Sequence, residues 1–265
     1  MSEEPHILVN EDGPILIATF NRPDKLNAMS RALMQGLSDA VDHFRDSDHL
    51  KVMLIRSTGR YFSSGADLRD GGGSPQPPTT ATGVREMHRR LAMRRVWDEM
   101  ELIEKPFVVA HHAICVGGSL EMSLSCDFRL AAESASYAFP EAKFGVLPAT
   151  NGVSRLTRLV GPHWARLFIM ANMPVSAHEA LNMGLVHKVY SDESFDEDVM
   201  AFCRHVAEQN AEVMGAAKIA IELAADLDAR QAAAVERMAN SGLMLNPSYQ
   251  EGMRRHVASV GAPKS

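Results

Sequence analysis

The stretch FVVAHHAICVGGSLEMSLSCDFRLAA, residues 107–132, decides the fold class of this chain. Its apolar runs at 107–116 and 128–132 are typical of buried strands, and a glycine pair begins the segment between them. Strand, helix and strand in succession predict an α/β fold with parallel strands. Glu121 lies inside the connecting segment, where a lone glutamate is either a water-facing helix residue or a buried carboxylate with a shifted pKa.

The flanking sequence extends this alternation on the N-terminal side. Further strands are predicted at residues 6–10, 15–20 and 51–57. Residues 30–44 repeat apolar side chains at helical spacing, with Ser30 as the candidate N-cap. From about residue 160 the pattern becomes almost wholly helical. We therefore expect an α/β core over residues 1–195 and a helical region over 196–265.

Composition excludes several classes of function. The 265 residues carry a net charge of -6 without a basic block, which argues against nucleic-acid or anionic-membrane partners. No apolar stretch reaches the length of a membrane span, and three cysteines without CxxC spacing predict neither a disulfide framework nor a zinc site. These features predict a soluble cytoplasmic protein. The low-complexity stretch at 70–83 predicts a loop beside a functional site.

Two glycine turns carry the first functional signal. Ser63, Ser64 and Gly65 form one turn, after which ADLR is expected to begin a helix, and Gly117 and Gly118 form the other. A turn that leads from a strand into a helix presents unpaired backbone N–H groups. Two such turns aimed at one point would make an oxyanion hole.

Six collinear blocks resemble the enoyl-CoA hydratase/isomerase (crotonase) family over nearly the whole chain. They are NRPDKLNAMS (21–30), YFSSGADL (61–68), VGGSLEMSLSCD (116–127), PEAKFGVLP (140–148), RLTRLVG (155–161) and SAHEALNMGLV (176–186). The resemblance implies a crotonase-like spiral of ββα units and a helical C-terminal region that assembles a homotrimer or a dimer of trimers. It also implies acyl-CoA thioester substrates, with coenzyme A as part of the substrate and no separate cofactor or metal.

The family's site residues carry over by position. The resemblance gives the oxyanion donors as the backbone N–H groups of Ser64 and Gly118, and the catalytic carboxylates as Glu121 and Glu141. It gives the coenzyme A contacts as Lys25, Leu26, Ala66, Asp67 and Leu68. Taken alone, Asp67 is equally a residue stabilised at the start of a helix.

Three functions remain open at this level. The pair of glutamates favours a hydratase. The resemblance implies that Glu121 deprotonates water and Glu141 protonates Cα, or that the pair shares both roles. An enoyl-CoA isomerase would use Glu141 alone, and a non-catalytic acyl-CoA-binding paralogue would use neither. The run LPATNG departs from the glycine-rich run of many hydratases, because Ala149 and Asn151 replace smaller residues. Chain length, aromaticity and stereochemistry of the acyl group are not encoded in these motifs.

Overall fold

The computed structural model describes residues 4–70, 83, 85 and 95–260. Most of the low-complexity stretch predicted as a loop, residues 71–82, lies outside the described residues. Of its two ends, residue 70 is in a turn and residue 83 is helical.

Ten strands in the described part of the chain form two sheets. The strands are β1 (Ile7–Asp12), β2 (Ile15–Phe20), β3 (Val52–Ser57), β4 (Tyr61–Ser63), β5 (Phe107–His111), β6 (Ile114–Val116), β7 (Phe128–Ala132), β8 (Ser136–Ala138), β9 (Val175–Ser176) and β10 (Lys188–Tyr190). The six-stranded sheet has the order β1-β2-β3-β5-β7-β10, and the four-stranded sheet has the order β4-β6-β8-β9.

The larger sheet is parallel except where β1 pairs antiparallel with β2. Its central strands β2 and β5 are buried along their whole length, which explains their continuous apolar sequence. The sequence predicts β2 and β7 with their observed bounds. The predicted parallel pairing is also confirmed, since β2, β3, β5 and β7 pair in parallel.

One predicted strand is wrong, because residues 107–116 form two strands in different sheets. β5 belongs to the larger sheet and β6 to the smaller one, with His112 and Ala113 between them. The same arrangement occurs twice more: β3 and β7 belong to the larger sheet, and the strands that follow them, β4 and β8, belong to the smaller one. Both halves of 107–116 are apolar because each lies in a packed sheet, so the apolar run gives no sign of the break.

The helices are α1 (Arg31–Asp46), α2 (Gly118–Ser123), α3 (Gly152–Ile169), α4 (Ala177–Asn182), α5 (Phe195–Ala207), α6 (Ala211–Ala224), α7 (Ala229–Leu245) and α8 (Pro247–Val260), and residues 95–102 are also helical. Short 3-10 helices cover Pro23–Lys25 and Pro140–Phe144. The Ser30 N-cap is confirmed, since its hydroxyl accepts from the Leu33 N–H at 3.2 Å.

One local expectation is corrected. No helix begins at residues 66–69, which form an isolated bridge and a turn. The region after residue 160 is almost wholly helical as predicted, but β9 and β10 each add a short strand to a sheet edge. In both places the pairing partner is distant in sequence, so the local pattern does not reveal it.

The chain divides into two compact units, Met1–Glu208 and Gln209–Ser265. The first unit contains both sheets and α1 to α5, so α5 lies with the core although the sequence assigns it to the C-terminal region. In the second unit, α7 packs against α6 and α8. None of the helices within the described ranges is both long and apolar enough to span a bilayer.

Candidate active site

The smaller sheet brings the two glycine turns together. β4 and β6 are parallel neighbours in this sheet, with Tyr61 opposite Ile114 and Ser63 opposite Cys115. The turn that contains Gly65 follows β4, and the turn that contains Gly117 follows β6. Because parallel strands end at the same edge of a sheet, the two turns lie side by side.

The closeness of these turns requires glycine. Gly65 has φ +86°, and a Cβ placed on it would lie 2.8 Å from the Val116 carbonyl oxygen and 3.1 Å from the Gly118 nitrogen. A Cβ placed on Gly118 would lie 3.5 Å from the Ala66 nitrogen. The backbones of the two turns are therefore in direct contact beside Ala66 and Gly118.

The backbone N–H of Ser64 is already used. It donates to the carbonyl oxygen of Leu26 at 2.9 Å, so the assignment of Ser64 as an oxyanion donor needs correction. Within the described ranges, the N–H groups of Ala66 and Gly118 have no hydrogen-bond acceptor. Ala66 was predicted as a coenzyme A contact, and it is the better donor candidate because its N–H is free and its residue is exposed.

Glu121 lies on α2, one helical turn after Gly118, and is only 5% exposed. Its Oε1 accepts from the N–H groups of Thr150 at 2.8 Å and Gly152 at 3.2 Å. Burial raises the pKa of Glu121 above its ordinary value, while hydrogen bonds from Thr150 and Gly152 oppose that rise. Of the two interpretations of Glu121 from the sequence, the buried carboxylate with a shifted pKa is therefore confirmed.

Glu141 enters the same region from the next strand. β8 pairs parallel with β6, and the 3-10 helix that follows β8 contains Glu141. A Cβ placed on Gly117 would lie 2.9 Å from Glu141 Oε1. Burial, with a further contribution from the charge of Glu121, raises the pKa of Glu141 to about 7. Glu141 Oε2 is buried and has no hydrogen-bond partner among the described residues.

The predicted coenzyme A contacts come from two segments that the fold joins. Besides the bond from Ser64 to Leu26, the Asp67 carboxylate forms an ion pair of 2.9 Å with Arg22. This pairing supports a structural role for the Asp67 side chain, although not at a helix start. Lys25 is exposed, and Leu68 is 75% exposed. Both remain predicted contacts, since their side chains face solvent.

The run at residues 147–152, where the sequence departs from the family, contacts Glu121. A Cβ placed on Gly152 would lie 2.6 Å from Glu121 Oε1, so the last glycine of the run is needed there. Ala149 is exposed, and Asn151 adopts φ +68° with its side-chain amide 3.4 Å from Asp98. The run therefore keeps its two N–H donors despite the substituted residues.

Sequence reasoning missed the residues that position Glu121. Arg155 donates to both oxygens of Glu101 at 2.5 and 2.6 Å and to Asp98 at 2.7 Å. The same guanidinium lies 3.4 Å from the Thr150 carbonyl oxygen. The glycine at residue 152 could have indicated the N–H donors to Glu121. The sequence around Arg155 does not indicate its carboxylate partners, because they lie more than 50 residues away.

The histidine pair lies outside this site. His111 is fully buried between Ser123 and Tyr137, and burial lowers its pKa to about 3. His112 lines a cavity of about 450 Å³ together with Arg56 and Asp192. None of the predicted site residues lines that cavity. In the described part of the chain, no three His, Cys, Asp or Glu side chains cluster in a way that could hold a metal.

A sequence model of the enoyl-CoA hydratase/isomerase family matches residues 10–260. The chain belongs to the enoyl-CoA hydratase/isomerase family. This match confirms the resemblance that the six sequence blocks indicate.

Relatives and solved structures of the family agree with this assignment. Carnitinyl-CoA dehydratase from Salmonella enteritidis is 34% identical over 212 residues, covering 79% of this chain and 75% of that protein. A Geobacillus kaustophilus structure described as enoyl-CoA hydratase subunit I has a TM-score of 0.88 at 30% identity, covering 100% of this chain and 99% of the other. An enoyl-CoA hydratase from Bacillus anthracis has a TM-score of 0.88 at 26% identity, with 96% of each chain covered. The predicted crotonase fold is confirmed.

Proposed function

We propose that this chain is a hydro-lyase that interconverts a 2-enoyl-CoA thioester and its 3-hydroxyacyl-CoA hydrate. The observation that carries the proposal is a pair of carboxylates beside two touching turns with free N–H groups. Glu121 is buried, and Glu141 is half-buried with one buried oxygen. The likeness to proteins described as a hydratase and a dehydratase supports both directions of one reaction.

The Ala66 and Gly118 N–H groups would bind the thioester oxygen. When water adds at Cβ, negative charge moves to this oxygen as an enolate forms. Donors fixed by the backbone stabilise that charge without reorganising, and loss of one such donor typically costs about 3–4 kcal/mol.

The two carboxylates would divide the proton transfers. Glu121, with two N–H donors on one oxygen, is the better stabilised carboxylate and takes the proton from the attacking water. Glu141, with a pKa of about 7, is half protonated near neutral pH and delivers its proton to Cα. Water thus contributes hydroxyl to Cβ, Cα gains a proton, and the proton on Glu121 returns to Glu141 through solvent.

The coenzyme A part of the substrate would lie along the segments that meet at Leu26 and Ala66. Lys25 offers an exposed cation for a phosphate, and Leu68 offers an exposed apolar surface. Asp67 would contribute through its backbone, since its carboxylate is paired with Arg22.

An enoyl-CoA isomerase is the second candidate. It is favoured by one observation, that Glu141 alone combines a pKa near 7 with an unpartnered buried oxygen. In that case Glu141 would move a proton between two carbons of the acyl chain, and no oxygen from water would enter the product.

Product analysis in ¹⁸O-labelled water separates the two reactions. A panel of trans-2-enoyl-CoA and trans-3-enoyl-CoA thioesters of different lengths is incubated with the full chain, and the products are examined by mass spectrometry. Label at Cβ supports the hydro-lyase. Migration of the double bond without label would show that the isomerase is correct, and absence of turnover across the panel would contradict both.

A further inference from the structure

Ser119 follows the donor residue Gly118 and has no place in the proton transfers above. Its side chain is fully buried. Its hydroxyl lies 2.9 Å from the Val116 carbonyl oxygen and 3.3 Å from the Ser63 carbonyl oxygen, with hydrogen-bond geometry to both. Val116 is the last residue of β6 and Ser63 is the last residue of β4. One hydroxyl therefore joins the two positions from which the donor turns begin.

The pairing between β4 and β6 stops short of this position. The pairing of β4 with β6 shifts register between Tyr61 and Ser63, as in a β-bulge, and Ser63 opposite Cys115 is its last pair. Val116 pairs with Ala138 on the other side of β6. The ladder between the two strands thus ends before the turns begin, and the Ser119 hydroxyl provides the next link between them.

The environment of the hydroxyl fixes its direction. The Cys115 thiol lies 3.5 Å from Ser119 Oγ, and burial raises the pKa of that thiol to about 12. A protonated thiol can donate to the serine oxygen. The serine proton is then left for the two carbonyl oxygens, which can only accept.

We propose that Ser119 is a positioning residue that sets the separation of the Ala66 and Gly118 N–H donors. It acts through the backbone, by sharing one proton between the carbonyl groups of Ser63 and Val116. This inference rests on the proposed function, because the separation matters only if both donors bind one thioester oxygen. Since the charge on that oxygen is larger in the transition state than in the bound substrate, a change in the separation lowers kcat more than it raises KM.

The test compares Ser119→Ala with two buried serines on or next to the same helix. Ser125→Ala is the neutral control, because Ser125 Oγ is buried and has no hydrogen-bond partner among the described residues. Ser123→Ala is the structural control, because it removes hydrogen bonds to His111, to the Cys115 thiol and to the Ser119 carbonyl group but leaves the bonds from Ser119 to Ser63 and Val116 in place. Ser119→Cys keeps a weaker donor of similar size, and it serves in place of Ser119→Ala should that variant not fold.

Two readouts are measured on each variant: kcat and KM with a trans-2-enoyl-CoA, and the infrared carbonyl frequency of the bound thioester. For Ser119→Ala we expect kcat to fall roughly 10- to 100-fold with little change in KM, as for small misplacements of catalytic groups. We also expect a smaller red shift of the carbonyl band. Ser119→Cys should lie between the wild type and Ser119→Ala, and Ser123→Ala should lower Tm but keep kcat and the band.

A folded Ser119→Ala protein with wild-type kcat and carbonyl frequency would overturn the inference, as would an equal loss of kcat in Ser123→Ala. Failure of the proposed function looks different. In that case the wild type itself would not hydrate the trans-2-enoyl-CoA, and the inference would fall together with the function on which it rests.

Discussion

Glu121 is buried and Glu141 is half-buried, and the two carboxylates are held in different ways. Glu121 Oε1 accepts two backbone N–H groups, whereas Glu141 Oε2 is buried without a hydrogen-bond partner in the described part of the chain. Hydrogen bonds to a carboxylate favour its charged form, and burial without them favours the neutral acid. The same pair of side chains can therefore supply a base and an acid at one pH.

Replacing either carboxylate by its amide tests these roles. Glu121→Gln and Glu141→Gln keep the shape of the side chain, and each should lower the kcat of hydration by roughly 10²–10⁴-fold. The double variant should lose much less than the product of the two factors, because groups that act as a unit are not additive. A mild effect of Glu121→Gln beside a severe effect of Glu141→Gln would instead favour the isomerase. The measurement is steady-state kinetics with a trans-2-enoyl-CoA.

The pH dependence of hydration should report Glu141. Its pKa of about 7 means that the acid form needed for protonation of Cα is lost as pH rises through neutrality. We therefore expect kcat/KM for hydration to fall above about pH 7. We expect kcat/KM for dehydration to fall in parallel, because the net reaction releases no proton and its equilibrium constant does not change with pH. In Glu141→Gln the remaining activity should not show this fall. If the variant still lost activity above about pH 7, that loss would have to be assigned to another ionisable group.

Stability should respond to Glu141 in the direction set by its raised pKa. The folded protein holds the proton up to about pH 7, whereas the unfolded chain releases it near the ordinary value of 4.5. The folded state therefore loses stability relative to the unfolded chain as pH rises between these values. Glu141→Gln removes this loss, so its Tm relative to the wild type should be higher at about pH 8 than at about pH 5. A Tm difference that does not change with pH would contradict the burial of an ionisable Glu141.

Gly152 should tolerate no side chain. The added Cβ of Gly152→Ala would meet Oε1 of Glu121 at 2.6 Å and Cβ of Pro148 at 2.9 Å, so the carboxylate or its loop must move. A displacement of this size should lower kcat about 10²-fold. Gly242→Ala is the matched control, because a Cβ there meets nothing within 4 Å. That variant should keep kcat and gain about 0.4–1 kcal/mol of stability. Equal kcat in the two variants would show that catalysis does not need a glycine at residue 152.

Arg155 should contribute to both stability and activity. Its side chain is 10% exposed and contacts two carboxylates and the Thr150 carbonyl group. Arg155→Met should lower the free energy of unfolding by about 2 kcal/mol, less than for a fully buried pair because the carboxylates are about one-third exposed. It should also lower kcat through Thr150.

Arg45→Met is the control for charge alone, because Arg45 pairs with carboxylates on an exposed surface. This variant should leave the free energy of unfolding, measured with denaturant, and kcat almost unchanged. A comparable loss in both variants would show that the contact with Thr150 carries no special role.

The oligomeric state is a prediction from the family and from apolar side chains of the C-terminal unit. Exposed large apolar residues of this unit include Ile221, Met238, Leu245 and Val257. Surfaces of this kind mark interaction sites. We expect a homotrimer or a dimer of trimers, measured by light scattering at micromolar concentration. A monomer there would contradict the expectation.

The sequence predicted those features that depend on local pattern. The bounds of β2 and β7 and the Ser30 cap follow from apolar runs and capping chemistry. The break at His112 and Ala113 could not be predicted, because β5 and β6 are both apolar although they belong to different sheets.

The same limit applies to the donors. The glycine identifies the turn at Gly65, but it does not show which N–H groups of the turn stay free. The carbonyl group of Leu26, 38 residues before Ser64, decides this because it accepts from the Ser64 N–H. For Glu121, its two donors at Thr150 and Gly152 follow some 30 residues later. Local sequence therefore predicts the kind of site, while contacts between distant segments decide which atoms perform each task.

The smaller sheet also sets the order in which the site can form during synthesis. Ala66 follows β4, Gly118 follows β6 and Glu141 follows β8, so successive repeats each deliver one component. Both N–H donors are therefore synthesised before Glu141. The two hydrogen bonds to Glu121 need residue 152 as well. A chain truncated between these points contains the proposed N–H donors but lacks Glu141 and the groups that hold Glu121, so we expect it not to convert a thioester.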